Sequence, residues 1–273
     1  RDENMLGRVA LLAGLTAAGL SASAFGNDGK VFQLKHPAPR VGDAFAIDQE
    51  SSLVLQTVGG PEKGHMETKS SYAVKVTAKA GDGFVTRFEL QPTTTTSDLT
   101  GKRETQTDAA RTLEATLATD ELQLVPAPRA QGEKAASAES FVGAKQSVSL
   151  GDTWTREGNL AVTSDVSVPL KSTYKVASVD KDAHGHDLLK VVLETSGTRI
   201  LPGTGGIRIN VTGKGQALID PERADRPVEV KLTYRFVTSG GPGADSETRT
   251  ETTIRTRELA SVAAVTSSQE NAR

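Results

Sequence analysis

Strict alternation of apolar and polar residues is the feature that most constrains how this chain can fold. From Val228 to Phe236 every second residue is apolar, and the residues between them are polar. The same period of two runs through 72–79 and resumes over 84–90, after the turn Gly81-Asp82-Gly83. Successive side chains of a strand point to opposite faces, so this pattern predicts antiparallel strands with one buried and one solvated face. Threonine and valine, which suit pleated sheets, make up about a fifth of the chain.

The predicted fold class is therefore mainly β, with few short helices. We expect an antiparallel curved sheet, a sandwich or a half-barrel, built from two similar meander halves of about five strands each. The ambiguous segment 108–117 is assigned as a strand. The predicted organisation is a signal peptide (5–24), a first β half (25–130), a linker or short helix (131–145), a second β half (146–259) and a flexible tail (260–273).

Matching segments predict that the two halves arose by internal duplication. The five residues from Val41 to Phe45 match the five from Leu150 to Trp154. Further along, Tyr72 is aligned with Tyr174 in the second half. The remaining correspondence pairs two short strands of the first half with two of the second: Leu113–Leu117 and Leu122–Leu124 with 216–219 and 228–232.

The beginning of the chain predicts export. Residues 5–8 form a short positive lead, Val9 to Leu20 is an apolar stretch of 12 residues, and Ala22-Ser23-Ala24 is a small-residue cleavage site. This is the pattern of a secretory signal peptide, with cleavage expected after Ala24. The apolar stretch is shorter than the about 20 residues of a spanning helix. We therefore expect a soluble protein, periplasmic or extracellular, with no transmembrane segment after cleavage.

Composition excludes several classes of function. The 273 residues include no cysteine, which excludes disulfides, thiolate metal sites and a lipid-anchored cysteine. The 32 basic and 34 acidic residues give a net charge of −2, and aromatic residues are 4% of the chain. Such a chain has neither the basic excess nor the stacking residues of a nucleic-acid-binding protein.

A Gly-Asp-x-aromatic motif opens a strand in each half, and we interpret it as structural. The motif residues are Gly42, Asp43 and Phe45 in the first half and Gly151, Asp152 and Trp154 in the second. The glycine permits a bend, the aspartate is expected to hydrogen-bond the backbone just beyond it, and the aromatic ring is expected in the core.

The segment Thr248 to Leu259 differs from the other strands, because neither of its faces is strongly apolar. Arginine and glutamate occupy one face, and threonines with Ile254 occupy the other. Charged residues discourage pairing with another chain, so this segment is predicted to be an edge strand, with partner binding as the functional alternative.

Catalytic motifs are absent from the sequence, and one polar constellation is a candidate metal site. Asp182, His184 and His186 lie close together between two strands, and imidazoles with a carboxylate are ligands for divalent metals. The alternative is a solvated hairpin turn. No nucleophile elbow, metalloprotease helix or phosphate loop occurs, so neither a catalytic residue nor a cofactor is assigned.

The two Gly-Asp-x-aromatic strands give the chain a family resemblance. The motif residues, the later Tyr174 and Val176, and the late pattern of Gly213, Gly215 and Asp220 resemble a family of uncharacterised bacterial secreted or periplasmic β-rich proteins over most of 31–259. The resemblance implies a β fold and an envelope location, and brings no catalytic residues. The overall layout is also similar to that of periplasmic lipoprotein carriers with an open sheet, without a shared motif.

Three functional hypotheses follow. The first is an exported, non-enzymatic envelope protein that binds another protein or a surface component, as a binding or scaffold module. The second is a periplasmic carrier of a lipid or other apolar small molecule in a curved-sheet cavity. The third is a hydrolase that uses carboxylates and the His184/His186 loop.

Overall fold

A computed structural model describes residues 30–99, 101–118, 145–162, 166–201, 206–241 and 245–259, together with the backbone of 12–14. Most of the predicted signal peptide, nearly all of the predicted linker, the Leu122–Leu124 strand and the predicted tail lie outside the described residues.

The described residues are mainly β-strand, which confirms the predicted fold class. The strands in chain order are β1 (Leu12–Gly14), β2 (Val31–Gln33), β3 (Ala44–Thr57), β4 (Glu62–Ala80), β5 (Gly83–Leu90), β6 (Thr93–Ser97), β7 (Glu104–Asp108), β8 (Arg111–Ala118), β9 (Ser147–Ser149), β10 (Thr153–Ala161), β11 (Ser167–Lys181), β12 (Asp187–Ile200), β13 (Arg208–Ile219), β14 (Glu229–Ser239) and β15 (Ser246–Glu258). The helical content of this part of the chain is a single 3-10 turn, Pro221–Arg223. No helix among the described residues is long and apolar enough to cross a membrane. Segment 111–118 is a strand, as predicted.

Thirteen of these strands form one continuous antiparallel sheet. Its order is β1-β10-β11-β12-β13-β14-β15-β3-β4-β5-β8, with β6 and β7 extending it beside β4. The two predicted halves are thus neighbours in one sheet, joined where β15 pairs with β3 from Ser246↔Thr57 to Glu258↔Phe45. The short strands β2 and β9 pair separately.

The predicted edge position of Thr248–Leu259 is wrong, because β15 is an interior strand with β14 on one side and β3 on the other. Its charges are compensated by neighbours rather than left to solvent. Arg255 Nε donates to Glu229 on β14 at 2.9 Å, and Arg257 Nε donates to Asp48 on β3 at 2.8 Å. Charged residues therefore mark a solvated face of a central strand here, and the partner-binding edge is withdrawn.

One face of the sheet carries the core, and we call it the apolar face. On β14 it is the face of Val230, Tyr234 and Phe236, all buried. Its buried side chains form three clusters, two over β10–β14 and one over β3–β5 and β8. Strands β2 and β9 pack on one cluster through Phe32 and Val148. The opposite face is rich in lysine, arginine and glutamate, and we call it the charged face.

Two glycines of the late Gly-x-Gly pattern let large side chains lie against the sheet. A Cβ added at Gly213 would stand 2.7 Å from the ring of Tyr234, and one at Gly215 would stand 2.6 Å from Leu232. Each glycine is the direct cross-strand partner of the residue it accommodates. Asp220 of the same pattern caps the 3-10 turn, its Oδ1 accepting from the Glu222 backbone N–H at 2.9 Å.

Candidate functional site

The two Gly-Asp-x-aromatic motifs adopt the same local structure. Gly42 and Gly151 have positive φ angles of 97° and 90°. Each glycine N–H donates to the carbonyl of a valine on the next strand, Val76 or Val176, at 2.9 Å. The same valine N–H donates back to the motif aspartate carbonyl, at 2.9 Å in the first half and 3.0 Å in the second.

The side chain of each motif aspartate closes the preceding turn. Asp43 Oδ2 accepts from the Arg40 backbone N–H at 2.8 Å, and Asp152 Oδ2 accepts from the Ser149 N–H at 2.8 Å. The predicted contact with backbone just beyond the aspartate is therefore wrong, because the acceptor points back across the glycine bend. Phe45 and Trp154 are 4% and 5% exposed, as expected for core rings.

The sequence alignment of Tyr72 with Tyr174 is displaced by two residues. Phe45 lies opposite Val74, and Trp154 lies opposite Tyr174, so Val74 is the structural counterpart of Tyr174. Both strands then carry a bulge, after Val76 in one and after Val176 in the other. A displacement of two keeps every side chain on its face, which is why the apolar pattern alone did not reveal it.

The rings of the two motifs meet different neighbours. Trp154 stacks on Tyr174, with ring centroids 5.6 Å apart and planes 5° apart, and the Lys145 ammonium lies 4.9 Å from the Trp154 centroid. Phe45 instead lies under the guanidinium of Arg226, 4.1 Å from its ring centroid. Both are cation–π contacts that stabilise the start of a strand.

Arg226 is also the centre of a small charged cluster behind the first motif. It is 8% exposed, with its Nε 3.1 Å from Asp225 Oδ2 and 3.6 Å from Glu258 Oε1. Burial raises the pKa of Asp225 and that of Glu258, and Arg223 opposes the rise in both. The cluster ties the loop before β14 to the end of β15, and its Arg226 also contacts Phe45 of the first half.

The candidate metal loop is a hairpin turn closed by Asp182. The Asp182 carboxylate accepts from the backbone N–H groups of His184 and His186, each at 2.8 Å, and lies 3.2 Å from His186 Nδ1. The His186 backbone contact is the main reason why the pKa of Asp182 is lowered. Within the described ranges, no group of three or more His, Asp or Glu side chains is placed to hold a metal ion. The geometry is that of the solvated turn, the alternative that the sequence left open.

A row of uncharged polar side chains crosses five strands on the apolar face, and it is the candidate functional site. In register it runs Thr252, Ser51, Thr68, Thr95 and Gln106, on β15, β3, β4, β6 and β7. We call these five residues the hydroxyl ladder. On the other side of β15, the cross-strand partner of Thr252 is Leu232 of β14, an apolar side chain that packs partly buried against the core.

The ladder hydroxyls hydrogen-bond in pairs. Ser51 Oγ and Thr252 Oγ1 are 3.2 Å apart, and Thr68 Oγ1 and Thr95 Oγ1 are 3.2 Å apart. These four residues are neither buried nor fully exposed, and Gln106 is exposed. A hydroxyl has one proton and two lone pairs, so a paired hydroxyl retains capacity for a further hydrogen bond.

Polar groups continue on either side of the ladder. Gln49 Nε2 donates to Ser51 Oγ at 3.3 Å. The next row of cross-strand partners, parallel to the ladder, includes Thr250 of β15. Thr250 is 6% exposed, and its Oγ1 has no hydrogen-bond partner in the structure. The same row carries the apolar side chains of Leu53 on β3 and Met66 on β4. A buried hydroxyl without a protein partner is uncommon.

The charged face of the same strands has a different chemistry. Glu247 of β15 is 1% exposed, and its carboxylate accepts from Arg235 at 2.7 Å and from Arg249 at 2.6 Å. These contacts, that of Arg235 first, lower the pKa of Glu247 to about 2. The two arginines lie directly opposite each other, so the glutamate separates like charges.

An open depression of about 620 Å³ lies on the charged face over β11–β14. Its lining combines three cations with one carboxylate and several hydroxyl groups: Lys171, Thr173, Glu194, Thr195, Ser196, Thr212, Gly213, Lys214, Thr233 and Arg235. Glu194 and Lys214 are 3.9 Å apart across it. Most of its wall is a regular grid of strand side chains, as on any solvated sheet face, and it brings together none of the predicted site residues.

Sequence reasoning missed the hydroxyl ladder. The alternating threonines of 248–256 were visible, and so was the run from Thr93 to Thr96. Whether these threonines form one polar row depends on which strands are neighbours in the sheet. The pairing of β15 with β3, and of β6 with β4, is what assembles separate polar faces into one row.

Comparisons with known proteins leave the chain without an assigned family. No protein-family model matches the chain, and no curated protein shows significant sequence similarity to it. A crystal structure of Pseudomonas aeruginosa OccK5 (OpdH) is similar over 81% of this chain and 99% of that one, with 9% sequence identity and a TM-score of 0.32. A similarity this low carries no inference about fold or function.

Proposed function

We propose that this protein is an exported, non-enzymatic binding module of the cell envelope and that the hydroxyl ladder is its ligand-binding surface. The observation that carries the proposal is the uncharged polar row that crosses five neighbouring strands on the apolar face. A sheet stabilised only by burial would have hydrocarbon side chains at these positions, as it has over most of β10–β14. The hydroxyls of Ser172 and Thr195 in that region are buried and bond each other at 2.9 Å, whereas the ladder hydroxyls are partly exposed. Positions that break the pattern of an otherwise consistent fold are where functional sites are expected.

The ladder favours a polar ligand over the apolar ligand of the carrier hypothesis. An apolar molecule lying on Ser51, Thr68, Thr95 and Thr252 would cover hydroxyl groups without bonding them, which is costly. The apolar side chains that a lipid would need are already packed against one another in the three core clusters. The hydrolase hypothesis is also disfavoured, because the ladder contains no titratable side chain to act as acid or base.

The envelope location and the duplication belong to the same proposal. The location is supported by the signal-peptide pattern of residues 5–24 and by the family resemblance of the two motifs. The duplication is supported by the matching hydrogen bonds at Gly42–Asp43 and Gly151–Asp152 and by the bulge that follows each. On this view both halves kept an apolar core, and part of the apolar face of the first half became polar.

The test uses two double variants of the full chain that differ only in the face they alter. Thr95→Val with Thr252→Val removes two ladder hydroxyls, whereas Thr94→Val with Thr253→Val makes the same change one residue away, on the charged face of the same strands. Valine is nearly isosteric with threonine and is a good strand residue, so both variants should fold. Binding to isolated cell-envelope material is measured by co-sedimentation of the purified protein.

We expect the wild type and the charged-face variant to bind alike and the ladder variant to bind about tenfold more weakly, since two hydrogen bonds are lost. Equal binding by all three proteins would contradict the ladder as the binding surface. Absence of envelope binding by the wild type would contradict the proposed function itself.

A further inference from the structure

We infer that the ligand of the hydroxyl ladder is a neutral glycan chain lying across the strands. This inference rests on the proposed function, in which the ladder is the binding surface. It adds the chemical class of the ligand and its direction on the sheet.

The chemistry of the ladder fits a polyhydroxylated ligand. Each of its five side chains is a hydroxyl or an amide, which both donates and accepts hydrogen bonds, and none carries a charge. An anionic ligand would be expected opposite lysine or arginine, and in these strands those residues lie on the charged face, as Arg249 and Lys69 do. A sugar hydroxyl likewise both donates and accepts, so it can pair with every position of the ladder.

The spacing of the ladder fits a repeating chain. Hydrogen-bonded strands lie about 4.8 Å apart. The five ladder residues, one on each strand, therefore present polar groups at that interval over about 19 Å. This interval is close to the length of one pyranose residue in an extended glycan. A glycan running perpendicular to the strands would therefore place one sugar over each strand from β15 to β7.

The borders of the ladder provide contacts for both parts of a sugar ring. On one side, Leu53 and Met66 occupy the adjacent row on β3 and β4. Leu53 is buried, and the partly exposed Met66 offers apolar surface to the C–H face of a pyranose. On the other side, the Gln49 amide already points at Ser51 and extends the polar row.

The experiment measures binding of defined neutral hexasaccharides to the full-length protein by isothermal titration calorimetry. The ligands are maltohexaose, cellohexaose and N-acetylchitohexaose, with hexagalacturonate as an anionic comparison and a fluorescent fatty acid as an apolar one. The proteins are the wild type, the ladder variant Thr95→Val/Thr252→Val and the charged-face variant Thr94→Val/Thr253→Val.

The expected result is binding of at least one neutral hexasaccharide, insensitive to salt, that weakens about tenfold in the ladder variant and is unchanged in the charged-face variant. Absence of binding to all three at millimolar concentration would overturn the glycan assignment. So would binding confined to hexagalacturonate or the fatty acid, or neutral binding that both variants retain in full. If envelope co-sedimentation still depends on the ladder in any of these cases, the proposed function stands and only the ligand class is wrong.

Discussion

The hydroxyl groups of Ser51 and Thr252 lie 3.2 Å apart although 201 residues separate them in the chain. They are direct cross-strand partners on β3 and β15. This pair lies at the junction of the two halves, where the first long strand of one is hydrogen-bonded to the last strand of the other. The candidate binding row begins at that junction, so its Ser51–Thr252 pair exists only when both halves are folded together.

Replacing Glu247 should make the protein more sensitive to acid. With a folded pKa of about 2, below its ordinary value of 4.5, the carboxylate stabilises the fold above pH 4.5 and loses this contribution as the pH falls toward 2. Glu247→Gln removes the charge that separates Arg235 from Arg249 and should lower the free energy of unfolding at neutral pH by about 1–3 kcal/mol. Urea denaturation between pH 2 and pH 7 measures both effects. The control is Glu251→Gln, an exposed glutamate on the same face of β15; an equal loss in the two variants would refute the role of the buried carboxylate.

Adding a methyl group at Gly213 should destabilise the sheet. The new Cβ would stand 2.7 Å from the Tyr234 ring and 2.8 Å from the Thr195 methyl group, so the ring must move. We expect Gly213→Ala to lower the free energy of unfolding by about 1–3 kcal/mol, measured by chemical denaturation. Gly241→Ala is the matched control, since its Cβ meets nothing closer than 3.7 Å. A Gly213→Ala protein as stable as the wild type would show that Tyr234 does not pack as described.

Removing the aspartate of either motif should cost the same amount of stability. Asp43→Ala and Asp152→Ala each delete one side-chain acceptor for a turn N–H, and each should lower the free energy of unfolding by about 1 kcal/mol. The two motifs are far apart in the sheet order, so the double variant should lose the sum. Asparagine keeps an acceptor oxygen and should restore most of the loss. Thermal and urea denaturation of the single, double and Asn variants measure this; a loss in only one half would count against equivalent roles.

Zinc should leave the thermal stability unchanged. The Asp182 oxygens already accept from the backbone N–H groups of the turn and from His186, so the loop has no preformed set of free ligands. Differential scanning fluorimetry with and without excess Zn²⁺ measures the midpoint, and His184→Ala/His186→Ala provides the reference. A stabilisation by zinc in the wild type that disappears in the double variant would restore the metal-site interpretation.

Local patterns predicted local structure well. The alternation around Val230 and Tyr234 placed a strand with the correct face buried, and the motif rings of Phe45 and Trp154 were correctly expected in the core. These predictions needed only the two-residue period of a strand and the cost of exposing large apolar side chains.

The order of the strands in the sheet could not be predicted from local sequence patterns. The mixed faces of β15 are equally typical of a sheet edge and of an interior strand whose charges are paired by neighbours, and only the partners Asp48 and Glu229 distinguish the two. The hydroxyl ladder was inaccessible for the same reason, because Ser51, Thr68 and Thr95 become one row only through long-range register. Sequence spacing fixes which face a residue occupies but not which residue lies across from it.

The pairing of β15 with β3 also determines when this protein can finish folding. The strand that covers the open edge of β3 is made some two hundred residues after it, so the long-range sheet cannot close on a partly synthesised chain. Topologies dominated by such distant contacts fold slowly, because a large loop must be ordered before its contacts form. The Ser51–Thr252 end of the ladder therefore forms only after the last strand has been made.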